Sequence, residues 1–162
     1  MGEIIIYERS DVLQVKSGRI AIAHVVNDLG VMGAGIALQI RQRWPRVYDE
    51  YHELVQIYGH SAPSILGRVQ DVRVSNDPPT VILNCFAQRG IRRNGHHQPF
   101  DLAKFQACMF NASEYAQLYG FFLHMPYGIG AGLAGGKWSE IEQVIRDVCC
   151  VTSGLTVHLH KL

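Results

Sequence analysis

No stretch of this 162-residue chain approaches the ~20 consecutive apolar residues that a membrane-spanning helix needs, so no membrane role is expected. The opening run Met1-Gly-Glu-Ile-Ile-Ile-Tyr7 is too short for a signal peptide and carries a glutamate, which points to a cytoplasmic protein. Cysteine is sparse and unpaired in pattern: Cys85, Cys108, Cys149 and Cys150 form no Cys-x-x-Cys motif. Three of them sit in apolar periodic segments, so they read as reduced thiols, mostly in the core, and a structural zinc site is not expected. Neither sign of charge dominates: 15 Lys and Arg stand against 14 Asp and Glu, a net +1. No basic stripe is present to hold nucleic acid non-specifically. The local cluster Arg89, Arg92 and Arg93 reads either as a solvated loop or as an anion-steering patch. There is no internal repeat, linker or low-complexity tract, which predicts a single domain over residues 1–162.

What is present is an alternation of apolar strands with patterned helices. Residues 4–7 and 19–26 read as strands, the second apolar enough to lie inside a sheet. A helix is predicted over 33–43, with Ile36, Ala37 and Ile40 on one face and Pro45 as its stop or a change of direction. A second helix follows over 46–58, with Gly59 just past its end. Residues 65–74 alternate apolar and polar and predict a half-exposed strand. Asn76-Asp-Pro-Pro79 is a turn, 80–86 a buried strand, and 88–99 a polar loop. Helix 101–118, strand 121–125, a helix starting near Lys137 and strand 155–159 complete the chain. The order β-β-α-α-β-β-α-β-α-β argues for an α/β fold with its sheet covered on both faces.

Two glycine-rich turns stand out. The first is Asn27-Asp28-Leu29-Gly30-Val31-Met32-Gly33-Ala34-Gly35-Ile36; the second is Pro126-Tyr127-Gly128-Ile129-Gly130-Ala131-Gly132-Leu133-Ala134-Gly135-Gly136. Each follows a predicted buried strand and leads into a helix. Glycine lets the backbone come close to a phosphate, and the helix start presents unpaired N–H groups with a positive partial charge. Two such turns point to a ligand with more than one phosphate, or a phosphate and a sugar. Neither ends in Gly-Lys-Ser/Thr, so a Walker A loop is excluded, and neither has the Gly-x-Gly-x-x-Gly spacing of a dinucleotide fold.

The flanks of these turns resemble a known family. His24-Val-Val-Asn-Asp-Leu-Gly-Val-Met-Gly-Ala-Gly-Ile-Ala37, followed by Arg43-Trp-Pro45, is similar to the first ligand loop of a macro domain. Pro126 to Trp138 is similar to the second loop and the start of the last helix. Ser10-Asp11-Val12-Leu13 resembles the short motif in which an aspartate meets adenine. Trp44-Pro-Arg-Val-Tyr-Asp-Glu-Tyr51, Tyr58-Gly59 and Leu66-Gly67 most resemble the branch that processes ADP-ribose 1″-phosphate. That branch is related to macro domains that remove ADP-ribose from proteins or nucleic-acid bases.

The resemblance implies a three-layer α/β/α sandwich with a mixed central sheet, and ADP-ribose or ADP-ribose 1″-phosphate as ligand, without cofactor or metal. ADP-ribosylated protein or nucleic acid would be the larger partners. Asp11 would accept a hydrogen bond from the adenine amino group, with the backbone of Val12 beside it. Asn27 would bond hydroxyls of the distal ribose through both ends of its amide. Val31, Met32, Gly33, Ala34, Gly35 and Ile36 would line one side of the diphosphate, and Gly128, Ile129, Gly130, Ala131, Gly132 and Leu133 the other. Phe86 would either pack on the distal ribose or serve as a core aromatic.

The chemistry is less marked than the cradle. Relatives that remove ADP-ribosyl esters carry a lysine where this chain has Gln88, and an aspartate in or after the second loop, where Ala134 and Lys137 stand. The candidates that remain near the first loop are Asp28, Asn27, which would fix sugar and water, and His24. The latter reads either as a hydrogen-bonded core histidine or as a general base. His96-His97 reads as a polar loop rather than a metal site. Two functions follow: a hydrolase of ADP-ribose 1″-phosphate or of linked ADP-ribose, or a binding module that holds the nucleotide without turnover.

Overall fold

The computed structural model describes residues 1–59, 64–91 and 98–162. His96, His97, Arg92 and Arg93 lie outside the described residues. Among the described residues six strands form one sheet: β1 (Ile4–Glu8), β2 (Ile20–Asn27), β3 (Val69–Asn76), β4 (Pro79–Gln88), β5 (Phe122–Pro126) and β6 (Val157–Lys161). Their order is β1-β6-β5-β2-β4-β3. All neighbours pair in parallel except β3, which runs antiparallel to β4. The sheet is therefore mixed. Among the described residues the helices are α1 (Gly35–Arg43), α2 (Pro45–Tyr58), α3 (Leu102–Tyr119) and α4 (Trp138–Val144), the last running on into a π-helical stretch, Ile145–Thr152.

The side-chain alternation of β2 explains the layers. Ala21 and Ala23 point into a core shared with Phe105, Met109, Ile141 and Ile145 of α3, α4 and its extension. Ile20, Ile22 and Val26 point the other way, against Ile40, Val47 and Tyr51 of α1 and α2. A strand buried on both faces has no polar side, which is why 19–26 reads as a continuous apolar run. Small residues on one face and large ones on the other let α3 approach the sheet closely.

Boundaries differ from the sequence expectation where backbone geometry overrides pattern. The alternating segment 65–74 is not a strand throughout: β3 begins only at Val69. Ile65 and Leu66 are buried in a turn that Gly67 closes at φ +93°. There the Gly67 N–H bonds the Phe86 carbonyl, and the Arg68 N–H bonds the Ile65 carbonyl. Helix α1 starts at Gly35 rather than residue 33, because Ala34 is extended. Pro45 opens α2 instead of merely ending α1, the position where its missing N–H costs nothing. Asp11 caps a 3-10 turn, Val12–Gln14, by accepting the Leu13 N–H at 2.9 Å.

Candidate ligand cleft

The carboxyl ends of the parallel strands β2, β4 and β5 emerge on one edge of the sheet, where open α/β sheets place their ligand crevice. The first glycine turn leaves β2 there and is tied down by the strand's last residue. Asn27 Oδ1 accepts from Leu29 N–H (3.0 Å), Val31 N–H (3.3 Å) and the Tyr51 hydroxyl (2.7 Å). Its Nδ2 donates to the Val31 carbonyl at 2.8 Å. The Tyr51 hydroxyl also donates to the Asn27 carbonyl at 2.8 Å. Burial pushes the Tyr51 phenol well above its usual range, so it remains a protonated donor. His52 Nδ1 bonds the Gly30 carbonyl at 3.2 Å, and Asp28 accepts the Gly90 N–H at 2.7 Å. The turn is thus pinned from α2 on one side and from the end of β4 on the other.

The second turn folds on itself. Ala131 N–H bonds the Gly128 carbonyl and Gly136 N–H the Gly130 carbonyl, both at 2.9 Å. Gly130 sits at φ +77°, and a Cβ there would lie 2.5 Å from the Phe100 ring. That ring in turn packs on Phe105 of α3, with centroids 5.4 Å apart. Leu133 reaches back across the gap: its Cδ1 lies 3.9 Å from where a Cβ of Gly35 would be.

Between the turns lies a cleft of about 650 Å³. Its polar side chains are His24, Asn27, Gln88 and Tyr127, and among the described residues no charged side chain lines it. Among the described residues, an anion held here would meet N–H dipoles rather than cationic side chains. The first-turn N–H groups of α1, which no carbonyl of its own helix can reach, face this region.

No protein-family model matches the chain. Its structure superposes on the macrodomain protein from Streptomyces coelicolor with a TM-score of 0.79 and 28% identity, covering 98% of both chains. The chain has the macrodomain fold. A protein of unknown function from Bacteroides thetaiotaomicron matches with a TM-score of 0.85 and 28% identity over 99% of both chains. Among characterised proteins, the ADP-ribose 1″-phosphate phosphatase of Candida albicans is 23% identical over 134 residues, 80% of this chain and 81% of that protein.

Within this macrodomain fold, His24, Asn27, Val31, Gly33, Ala34, Gly35, Ile36, Gly128, Ile129, Gly130, Gly132 and Leu133 line the cleft. Met32 lies beneath the first turn, fully buried, and Ala131 is outside the lining. Phe86 is a core aromatic: it is fully buried against Tyr51, with ring centroids 5.7 Å apart, and does not reach the cleft. Val12 is buried in the same core, and Asp11 stands in the turn after β1, outside the lining. Asn27 cannot offer both amide ends to a sugar, because three donors already occupy its carbonyl oxygen. One Nδ2 hydrogen remains available.

His24 is fully buried, and its Nε2 lies 2.6 Å from Asn84 Oδ1. Asn84 is itself held: its Nδ2 donates to Gln70 Oε1, and Gln70 Nε2 donates to the Glu50 carbonyl of α2, both at 3.0 Å. Burial lowers the His24 pKa to about 4, partly offset by the Asn84 bond. Its Nε2 carries the proton that Asn84 accepts, so its Nδ1 is a bare acceptor, buried without a hydrogen-bond partner among the described residues. This is a neutral, anchored imidazole, a poor general base. Sequence pattern missed Tyr51, whose helical spacing marks it only as core, and Asn84, which sits within the apolar run of residues 81–87.

Proposed function

We propose that the cleft binds ADP-ribose, with the diphosphate between the two glycine turns, the distal ribose at Asn27 and adenine toward Asp11. The observation that carries this reading is the pairing of two facing N–H-rich turns around a cleft of about 650 Å³ that no charged side chain lines among the described residues. Dipoles of fixed backbone suit a delocalised diphosphate, and apolar walls suit the sugar and base. Calorimetry with ADP-ribose tests it. Binding with a one-to-one stoichiometry is expected, and Asp11→Ala should weaken it by ~1–3 kcal/mol through loss of a charge-assisted hydrogen bond. No heat at millimolar ligand would sink the reading.

A second reading is hydrolysis of ADP-ribose 1″-phosphate, favoured by the activity named for the Candida relative. Here the chemistry would rest on the remaining Asn27 N–H and the turn dipoles orienting water and phosphate. Gln88 and Lys137 stand where the lysine–aspartate mechanism of ester-removing macrodomains would need its two groups, so removal of ADP-ribose from protein esters is disfavoured. Phosphate release from ADP-ribose 1″-phosphate, measured beside ADP-ribosylated protein and nucleic acid, separates the phosphatase from the pure binder.

A further inference from the structure

On the sheet face that carries α1 and α2, but beyond their cover, three histidines of β5 and β6 gather beneath the Ser10–Asp11 turn. His160 is nearly buried, and its Nδ1 lies 2.7 Å from the Ser10 hydroxyl. Its Nε2 lies 2.8 Å from Nδ1 of His124, also nearly buried. His158 stacks on His124 with centroids 4.7 Å apart, and Tyr7 stacks on His160 at 4.8 Å while bonding His158 Nδ1 at 2.8 Å. The turn above is strained: Arg9 is a non-glycine residue at φ +52°. Such a conformation is unfavourable for a residue with a Cβ and persists only where its surroundings hold it. What holds it is the Ser10 N–H bond to the Lys161 carbonyl, the Leu13 bond to Asp11, and the link from Ser10 to His160. The same end of β6 supports the cleft wall, because the Tyr127 N–H bonds the His160 carbonyl at 2.9 Å.

We propose that His160, oriented by His124, is the positioning residue of the Ser10–Asp11 turn, and that it ties the adenine preference of the cleft to pH. This rests on the reading that adenine meets Asp11. The groups facing His160 are Tyr7 from β1, His124 from β5, His158 from its own strand and Asp11 from the turn. The 3-10 segment above it, Val12–Gln14, contributes no titratable group. In the chain Ser10–His160–His124, neutral rings each give one donor and one acceptor, so the hydrogens run in one direction along it. Acid breaks this order. A proton on His160 takes away its acceptor, and one on His124 as well sets N–H against N–H. Burial holds His124, His158 and His160 below the usual histidine range, with mutual repulsion adding to it at His124 and His160. Asp11 acts in the opposite sense on His160. The closed turn therefore favours the neutral cluster, and an opened turn takes up a proton.

The test is calorimetry of the full chain with ADP-ribose and with inosine diphosphate ribose, whose base carries an oxygen in place of the amino group, at pH 7.5 and 5.5. The unmodified protein is expected to favour ADP-ribose and to lose up to about tenfold in its affinity between the two pH values, the limit for one linked histidine with an ordinary value near 6.5. His160→Gln should narrow the preference for ADP-ribose to about twofold and flatten the pH dependence. Ser10→Ala, which cuts the same link from the surface side, should do likewise without disturbing β6. Variants that keep both the preference and the pH slope overturn the proposal. So do variants that weaken both ligands equally, as a merely structural role would. If the unmodified protein binds neither ligand, the ADP-ribose reading itself fails and takes this proposal with it.

Discussion

At the scale of single residues, the cleft is shaped by side chains that do not point into it. Tyr51 is the clearest case. Its hydroxyl meets both the carbonyl and the Oδ1 of Asn27 from the buried face of α2. That contact decides how much of Asn27 is left for a ligand. Tyr51→Phe removes the hydroxyl but keeps the ring that packs on Phe86. A buried bond of this kind is worth about 1 kcal/mol, rising to about 3 when its partner is left unsatisfied. Asn27 Oδ1 keeps two N–H donors, so a loss of about 1–2 kcal/mol in urea unfolding is expected, together with weaker ADP-ribose binding as the first turn loosens. Unchanged ligand affinity in the variant would show that α2 does not position the turn. The residue's identity is readable in the chain but its role is not: helical spacing places Tyr51 inward, and only the three-dimensional path of the first turn brings Asn27 over its hydroxyl.

At the scale of elements, the order of strands and helices follows from the chain, and so does the location of the cleft. Both glycine turns announce themselves because glycine at a strand-to-helix junction has few other uses. The placement of 65–68 does not follow, since Ile65 and Leu66 continue an alternation whose break is a single positive-φ glycine. Phe86 stays open in sequence between ribose contact and core for a related reason: period-2 alternation says which face of β4 it takes, not what covers that face. The partnership between the second turn and the loop before α3 is equally silent in sequence, yet it is sharp in space. Gly130→Ala would push a methyl group into the Phe100 ring and hold alanine at a left-handed φ. Left-handed backbone alone costs about 1–2 kcal/mol, and overpacking adds about 1–3. The second turn should therefore shift, with a loss of several kcal/mol in chemical denaturation and of most ligand affinity. Gly132→Ala is the matched control: that position meets nothing within 4 Å and has no positive φ. Equal effects at the two positions would refute the Phe100 contact as the cause.

At the scale of the whole molecule, buried imidazoles should make the fold sensitive to acid well before its carboxylates titrate. His24 has a folded pKa of about 4 against 6.5 when exposed, and His124 is lowered to about 3. For a histidine lowered on folding, the unfolded chain binds more protons, so stability rises with pH across the window between the two values. The stability is complete above about pH 6.5, falls as the pH drops toward 4, and changes no further from His24 below that. For His24 alone the full loss is about 3 kcal/mol, of which about 2 is reached by pH 5. The β5–β6 histidines act in the same direction. Against the 5–15 kcal/mol typical of a folded domain, this is enough to move a urea midpoint visibly. Urea unfolding at pH 7.5 and 5.0 should give a lower midpoint in acid with the same slope. His24→Asn, which removes the titrating group from the Asn84–Gln70 line, should shrink the drop between the two pH values by about 2 kcal/mol and leave the part due to the β5–β6 histidines, even if it lowers stability at pH 7.5. A midpoint that is the same at both pH values in the unmodified chain would mean that His24 is hydrated and charged in the fold, contrary to its full burial.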